Sequence, residues 1–150
     1  MAVTVEKHWR NRLGEELSVN DALLKDISIT VGLYQEYKYT TTVNGTEAEV
    51  VQEGTSGTPF ATVELNQANS FTYTWATPTL PAYLVTANGD YVLDKDGKQV
   101  PVTYVVGEVS GAAGWTLAEP EEEITDSEDT FILTNVPLTQ FSPSVERSGR

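Results

Sequence analysis

Six runs of this chain alternate their side chains with a period of two. That period commits them to strands, because successive residues of an extended strand face opposite ways. The runs are 3–9, 27–34, 61–65, 70–75, 102–109 and 130–136. Three of them carry a polar residue at an inward position. The face holding Val3, Val5 and Trp9 also holds Lys7, and the face holding Val102, Tyr104 and Val106 also holds Glu108. In the last run, Phe131 and Leu133 share their face with Asn135. A polar group on a buried face must be hydrogen-bonded or chemically used, since leaving it unsatisfied costs roughly 1–3 kcal/mol. Lys7, Glu108 and Asn135 are therefore candidates for one shared interior site.

The remaining segments read as turns and shorter elements. Ser18 or Asn20 is placed to cap a short helical turn through Asp21 to Leu24. Tyr37 to Val43 is β-prone, Asn44-Gly45 is a tight-turn signal, and Thr46 to Val51 returns as the second half of a hairpin. Asn44-Gly45-Thr46 also matches a glycosylation sequon, but the turn is the preferred reading. Phe71, Tyr73 and Trp75 form an aromatic stripe expected in the core. Tyr91 to Leu93 reads as a short edge strand, Trp115 to Leu117 as a segment packing back on the core, and Glu119 to Glu123 as a solvated acidic loop. Asp94-Lys95-Asp96-Gly97 resembles part of a calcium loop but lacks the other ligands of that pattern, so a β-turn is expected.

Val, Thr and Tyr with Gly, Asn and Pro punctuation favour an all-β domain. A chain of 150 residues suits a single domain with a proper core. The expected division is a domain over 1–136 and a linker or tail over 137–150. With 9 Lys and Arg against 22 Asp and Glu, the net charge of -13 argues against nucleic acid, which needs clustered cations. The acidity serves solubility. There is no cysteine, which excludes disulfides and thiolate metal sites. No apolar run is long enough to span a bilayer. Met1-Ala2 leads straight into a strand pattern, so no signal peptide is visible, as would also hold for a piece of a larger protein. No cofactor or metal is expected. His8, the one histidine, faces away from Lys7, and no nucleophile-elbow motif is present, so turnover on an outside substrate is not expected.

The three inward polar residues suit one reaction. Burial disfavours the charge on a lysine, so its amine tends toward the neutral, nucleophilic form, while a buried carboxyl tends to keep its proton. A protonated carboxyl can polarise an amide carbonyl and shuttle a proton from the attacking amine to the leaving nitrogen. Lys7 would attack the side-chain carbonyl of Asn135 with Glu108 as the proton-transfer group. Ammonia would leave, and an isopeptide bond would remain.

At these residues the chain resembles the Cna protein B-type domains of Gram-positive surface proteins. Lys7-His8-Trp9 resembles that family's lysine-plus-tryptophan opening. Ser70 to Trp75 followed by Leu80-Pro81 resembles its aromatic strand, and Phe131 to Asn135 its closing strand. Asp96-Gly97-Lys98 and then Val102 to Glu108 resemble its Asp-Gly-Lys turn and glutamate-bearing strand. The resemblance implies a prealbumin-like, reverse-Ig β-sandwich. It also implies a bond from the first-strand lysine, Lys7, to the last-strand asparagine, Asn135, helped by Glu108. The chain departs from the family pattern in its long middle, Glu36 to Phe60, and in an insertion, Ala82 to Leu93.

What this implies is an extracellular, cell-wall-anchored stalk or spacer domain of an adhesin or pilus-like protein. It would be monomeric, with neighbouring domains of the same protein as its partners. The alternative is a ligand-binding domain whose long segments recognise a host matrix protein or a glycan through tyrosines such as Tyr37, Tyr39, Tyr83 and Tyr91.

Overall fold

The computed structural model describes residues 2–118, 122–125 and 129–138. Among them are nine strands: β1 (Ala2–Trp9), β2 (Ile29–Val43), β3 (Thr46–Gln52), β4 (Ala61–Leu65), β5 (Thr72–Ala76), β6 (Thr103–Ser110), β7 (Trp115–Leu117), β8 (Glu122–Thr125) and β9 (Asp129–Pro137). One sheet runs β5-β1-β9-β7, with β8 also pairing β9; the other runs β3-β2-β4, with β6 also pairing β2. The expected all-β, prealbumin-like sandwich is the architecture observed.

The core lies between the sheets. Val3, Val5, Trp9, Phe131 and Leu133 from the first sheet are buried with Ile29, Val31, Leu33, Val102, Tyr104 and Val106 of the second sheet and its approach. The inward positions read from period-two alternation thus become the shared interior, because the pleat sends every second side chain to the same side. Every strand pair is antiparallel except β1 with β9, which is parallel. Parallel neighbours need a long crossover, and here the connection from β1 to β9 passes through the second sheet.

Several local expectations are corrected. The regular run expected to end at Tyr34 continues as one strand to Val43, since β3 takes over as partner where β6 stops: β2 pairs β6 through Glu36 and β3 from Tyr37. The turn between β2 and β3 has φ of 53° at Asn44 and 80° at Gly45, the positive pair that a tight hairpin demands. The short 3-10 helix Ala22–Leu24 is capped by Asp21, whose carboxylate accepts the Leu23 N–H at 2.9 Å. Ser18 instead accepts from Asn20 N in a turn of its own. Tyr73 does not join the core, since β5 is an edge strand and the residue is 42% exposed. Glu122 and Glu123 belong to β8 and pair along β9, which supplies the ladder partners that a loop would lack. Residues 119–121 of that acidic run and 139–150 of the expected tail lie outside the described residues.

The two departures from the family pattern meet at one pole. The Tyr104 hydroxyl donates to the Pro81 carbonyl just beyond β5, so β6 starts at the pole where β1 begins and β5 ends. The β2–β3 hairpin overshoots β6 at this pole. The turn that follows the inserted segment docks on the hairpin, Lys95 N donating to Thr40 O at 2.8 Å, and the inserted segment itself lies along the approach to β6, Leu84 N donating to Val100 O at 2.9 Å. Asp94 accepts from Asp96 N and Lys98 N, each at 2.9 Å, which closes the expected turn.

Candidate cross-linking site

The parallel pairing of β1 with β9 sets the site. Its register puts Lys7 across from Leu133 and Trp9 across from Asn135. Lys7 and Asn135 are therefore diagonal neighbours on one inward face. Diagonal positions on adjacent strands lie about 7–8 Å apart, a span that long side chains cover. Lys7 is 1% exposed and Asn135 fully buried. The strand around Asn135 is held from both sides: Arg10 N donates to its carbonyl at 2.9 Å, and Leu117 of β7 pairs with it.

The facing sheet supplies the third group. Glu108, on β6, extends the inward row of Val102, Tyr104 and Val106. Its Oε2 accepts from Lys7 Nζ at 2.6 Å, with the two side chains 12% and 0% exposed. A charge-assisted contact this short, in a low-dielectric interior, is among the stronger hydrogen bonds that side chains make. Lys7 Nζ also stands 5.6 Å from the centroid of the Trp9 ring. That ring meets Phe71 edge-on at 5.3 Å and Trp115 edge-on at 5.0 Å. Aromatic surface therefore walls the site.

Asn135 is the unusual member. Both its Oδ1 and its Nδ2 are buried without a hydrogen-bond partner among the described residues, as is the indole N–H of the facing Trp9. Each buried amide atom left so costs on the order of 1–3 kcal/mol.

The structure thus brings Lys7 and Glu108 into contact and puts Asn135 on the neighbouring strand, on the same face. His8 lies outside the site, 27% exposed between Glu6 at 3.1 Å and Glu16 at 3.4 Å. Alternation put Phe71 in the core, where it is, without assigning it to this site, and gave no sign of Trp115. Phe71 sits just outside β5 with a φ of 54°, and Trp115 opens a three-residue strand too short to show a period. Among the described residues, no group of three or more His, Asp or Glu side chains is arranged to hold a metal.

The chain is similar to Cna-type B repeats. The single B repeat unit (B1) of the collagen-binding surface protein Cna of Staphylococcus aureus shares 22% identity with it, over 91% of this chain and 49% of that one, at a TM-score of 0.43. The two-repeat unit B1B2 of the same protein shares 21% identity, over 91% of this chain and 25% of that one, at a TM-score of 0.42. The chain spans about half the length of the first structure and a quarter of the second. No family model and no curated protein matches it.

Proposed function

We propose that this chain is a load-bearing module of a cell-wall-anchored surface protein, an adhesin stalk or pilus-like fibre. Its lock is a self-formed isopeptide bond between Lys7 and Asn135. The observation that carries this reading is the buried 2.6 Å contact of Lys7 with Glu108, beside an Asn135 amide that has no hydrogen bond of its own among the described residues.

The steps balance as follows. The Lys7 ammonium passes one proton to the Glu108 carboxylate, leaving a neutral amine. The amine attacks Cγ of Asn135 while the Glu108 carboxyl hydrogen-bonds the carbonyl oxygen. A second Nζ proton reaches the amide nitrogen by way of Glu108, the C–N bond breaks, and ammonia departs. One hydrogen stays on the new amide, and Glu108 yields its proton to solvent or to the ammonia. Holding amine and amide together can supply about 7–11 kcal/mol of the barrier, and the proton shuttle about 10²–10⁴ in rate. Trp9, Phe71 and Trp115 keep water from competing.

The mechanical use follows from the topology. Because β1 and β9 are parallel neighbours, the start of one and the end of the other lie at opposite poles. Tension entering at Ala2 would cross from Lys7 to Asn135 and leave past Pro137, sparing nearly everything between. The closed loop would also constrain the unfolded chain by about 5 kcal/mol, on the chain-entropy expression for covalent bridges. On this reading the domain acts outside the cell as a monomer between further domains of the same protein. Its one reaction is a single self-modification. Intact mass tests it: the folded domain should be lighter than its sequence by one ammonia, and Lys7→Ala, Glu108→Ala and Asn135→Ala should each restore the mass. A wild-type domain of full sequence mass would end the proposal.

A second reading is favoured by the hairpin pole. Tyr83 and Tyr91 are 39% and 53% exposed and meet edge-on at 6.2 Å. Tyr83 bridges to Pro101, which lines a groove of ≈ 450 Å³ together with Tyr37, Glu49 and Val51. Such a surface suits a host matrix protein or a glycan. Glycan arrays and matrix-protein pull-downs with the wild type and a Tyr83→Ala/Tyr91→Ala variant test it. A pure spacer binds nothing in either.

A further inference from the structure

We infer that Gly111 seats the Glu108 carboxylate against Lys7. The register between β2 and β6 slips at this point: Thr30 pairs with Ser110 while Val31 pairs with Glu108. Val109 is thus an extra residue, a β-bulge directly after the glutamate. Bulges bend a strand and re-aim its side chains. Val109 is 49% exposed, and its side chain lies over Gly32, where a Cβ would stand 3.0 Å from it.

Beyond the bulge the chain brings Gly111 up behind the carboxyl group. A Cβ at position 111 would stand 2.9 Å from Glu108 Oε1 and 3.6 Å from its Cδ, and among the described residues would meet nothing else within 4 Å outside its chain neighbours. Gly111 has no left-handed φ, so the backbone there accepts an alanine. The glycine is therefore not required by conformation. What it provides is space. One carboxylate oxygen sits on the lysine, and the other occupies the volume that any side chain at 111 would take. The flexible end of Glu108 would yield to a methyl group at little cost to the fold, and would move relative to Lys7 in doing so. On the cross-linking reaction proposed above, on which this depends, Gly111 is a positioning residue for the proton-transfer group.

The test compares Gly111→Ala with wild type. Full-length chains are isolated unfolded in denaturant and refolded by dilution, and ammonia loss is timed by intact mass across a range of pH. Misplacing a reacting group by up to an ångström can cost about a hundredfold, so a slowing of about ten- to a hundredfold is expected. The deficit should shrink as pH rises, because solvent can then take the amine's proton without Glu108. Denaturant midpoints are measured in the Lys7→Ala background, where no bond can form, and Lys7→Ala/Gly111→Ala should match Lys7→Ala. An unchanged rate in Gly111→Ala, with wild type reacting normally, overturns the role of Gly111 and leaves the cross-link standing. So does a slowing that is the same at every pH. A lower midpoint for Lys7→Ala/Gly111→Ala makes the glycine structural and overturns it too. A wild type that loses no ammonia sinks the cross-link first and this role with it.

Discussion

Lys7–Glu108 and Lys38–Glu49 are the same two side-chain types in two settings. The first pair spans the sandwich at 2.6 Å, with side chains 0% and 12% exposed; the second lies on the overhanging hairpin at 3.6 Å, with side chains 67% and 56% exposed. Water screens the hairpin pair and competes for each partner, so it amounts to little. In the core, desolvation makes each charge depend on the other. The difference teaches that burial, more than residue type, turns a lysine from a surface cation into a candidate nucleophile. The two poles divide along the same line: one end of the sandwich encloses polar groups, and the other displays them.

The contrast can be tested from its strongest consequence down. Glu108→Ala should do most. It leaves Lys7 buried without its carboxylate, at a cost of about 3–5 kcal/mol for breaking such a pair. It should also prevent the proposed bond, which urea unfolding together with intact mass would register. On the proposed cross-link, Asn135→Ala should lose the bond's contribution of about 5 kcal/mol. It keeps the Lys7–Glu108 pair and removes two unsatisfied amide atoms, so its unfolding midpoint should lie above that of Glu108→Ala. The reverse order would mean that the buried pair matters less than its setting suggests.

A smaller effect is expected at the junction of the two regions. Burial raises the Tyr104 hydroxyl above the ordinary tyrosine value of 10.0, while the hydrogen bond from Gln35 works the other way. The folded pKa exceeds the unfolded one, so this stabilisation is complete below the ordinary value and is lost as pH rises through the folded one. Alkaline unfolding should steepen there, and Tyr104→Phe should flatten that limb of the pH–stability curve. Asp94 has the opposite sign. Its carboxyl is held below 3.8, chiefly by the backbone hydrogen bond from Lys98. The turn's contribution is present above 3.8 and lost as pH falls through the folded value; Asp94→Asn should remove the acid dependence. Smallest of all, Lys38→Ala should change stability by less than about 1 kcal/mol, by the same urea assay. A larger loss would erase the contrast between the two ion pairs.

Much of this was legible along the chain. Alternation placed Val3, Val5, Lys7 and Trp9 on one face and Glu108 with Val102, Tyr104 and Val106 on another, and those faces are the ones buried. Alternation failed where burial is decided by neighbours. Tyr73 shares its parity with Phe71 and Trp75 but stands half out of an edge strand. β2 runs to Val43 because a new partner arrives, which no period within the strand announces. The cap fell to Asp21 rather than to Ser18 or Asn20, since each of the three can close a local turn and the helix start chose among them.

By itself the sequence determined which side chains share a face, because the two-residue period of a strand is a property of its own backbone. Only the tertiary structure decided that β1 lies parallel to β9, so that Lys7 and Asn135 become diagonal neighbours. It also decided that a bulge at Val109 brings Gly111 behind the carboxylate opposite them. Strand partners are chosen by packing between segments far apart in the chain, and periodicity within one segment carries no information about that choice.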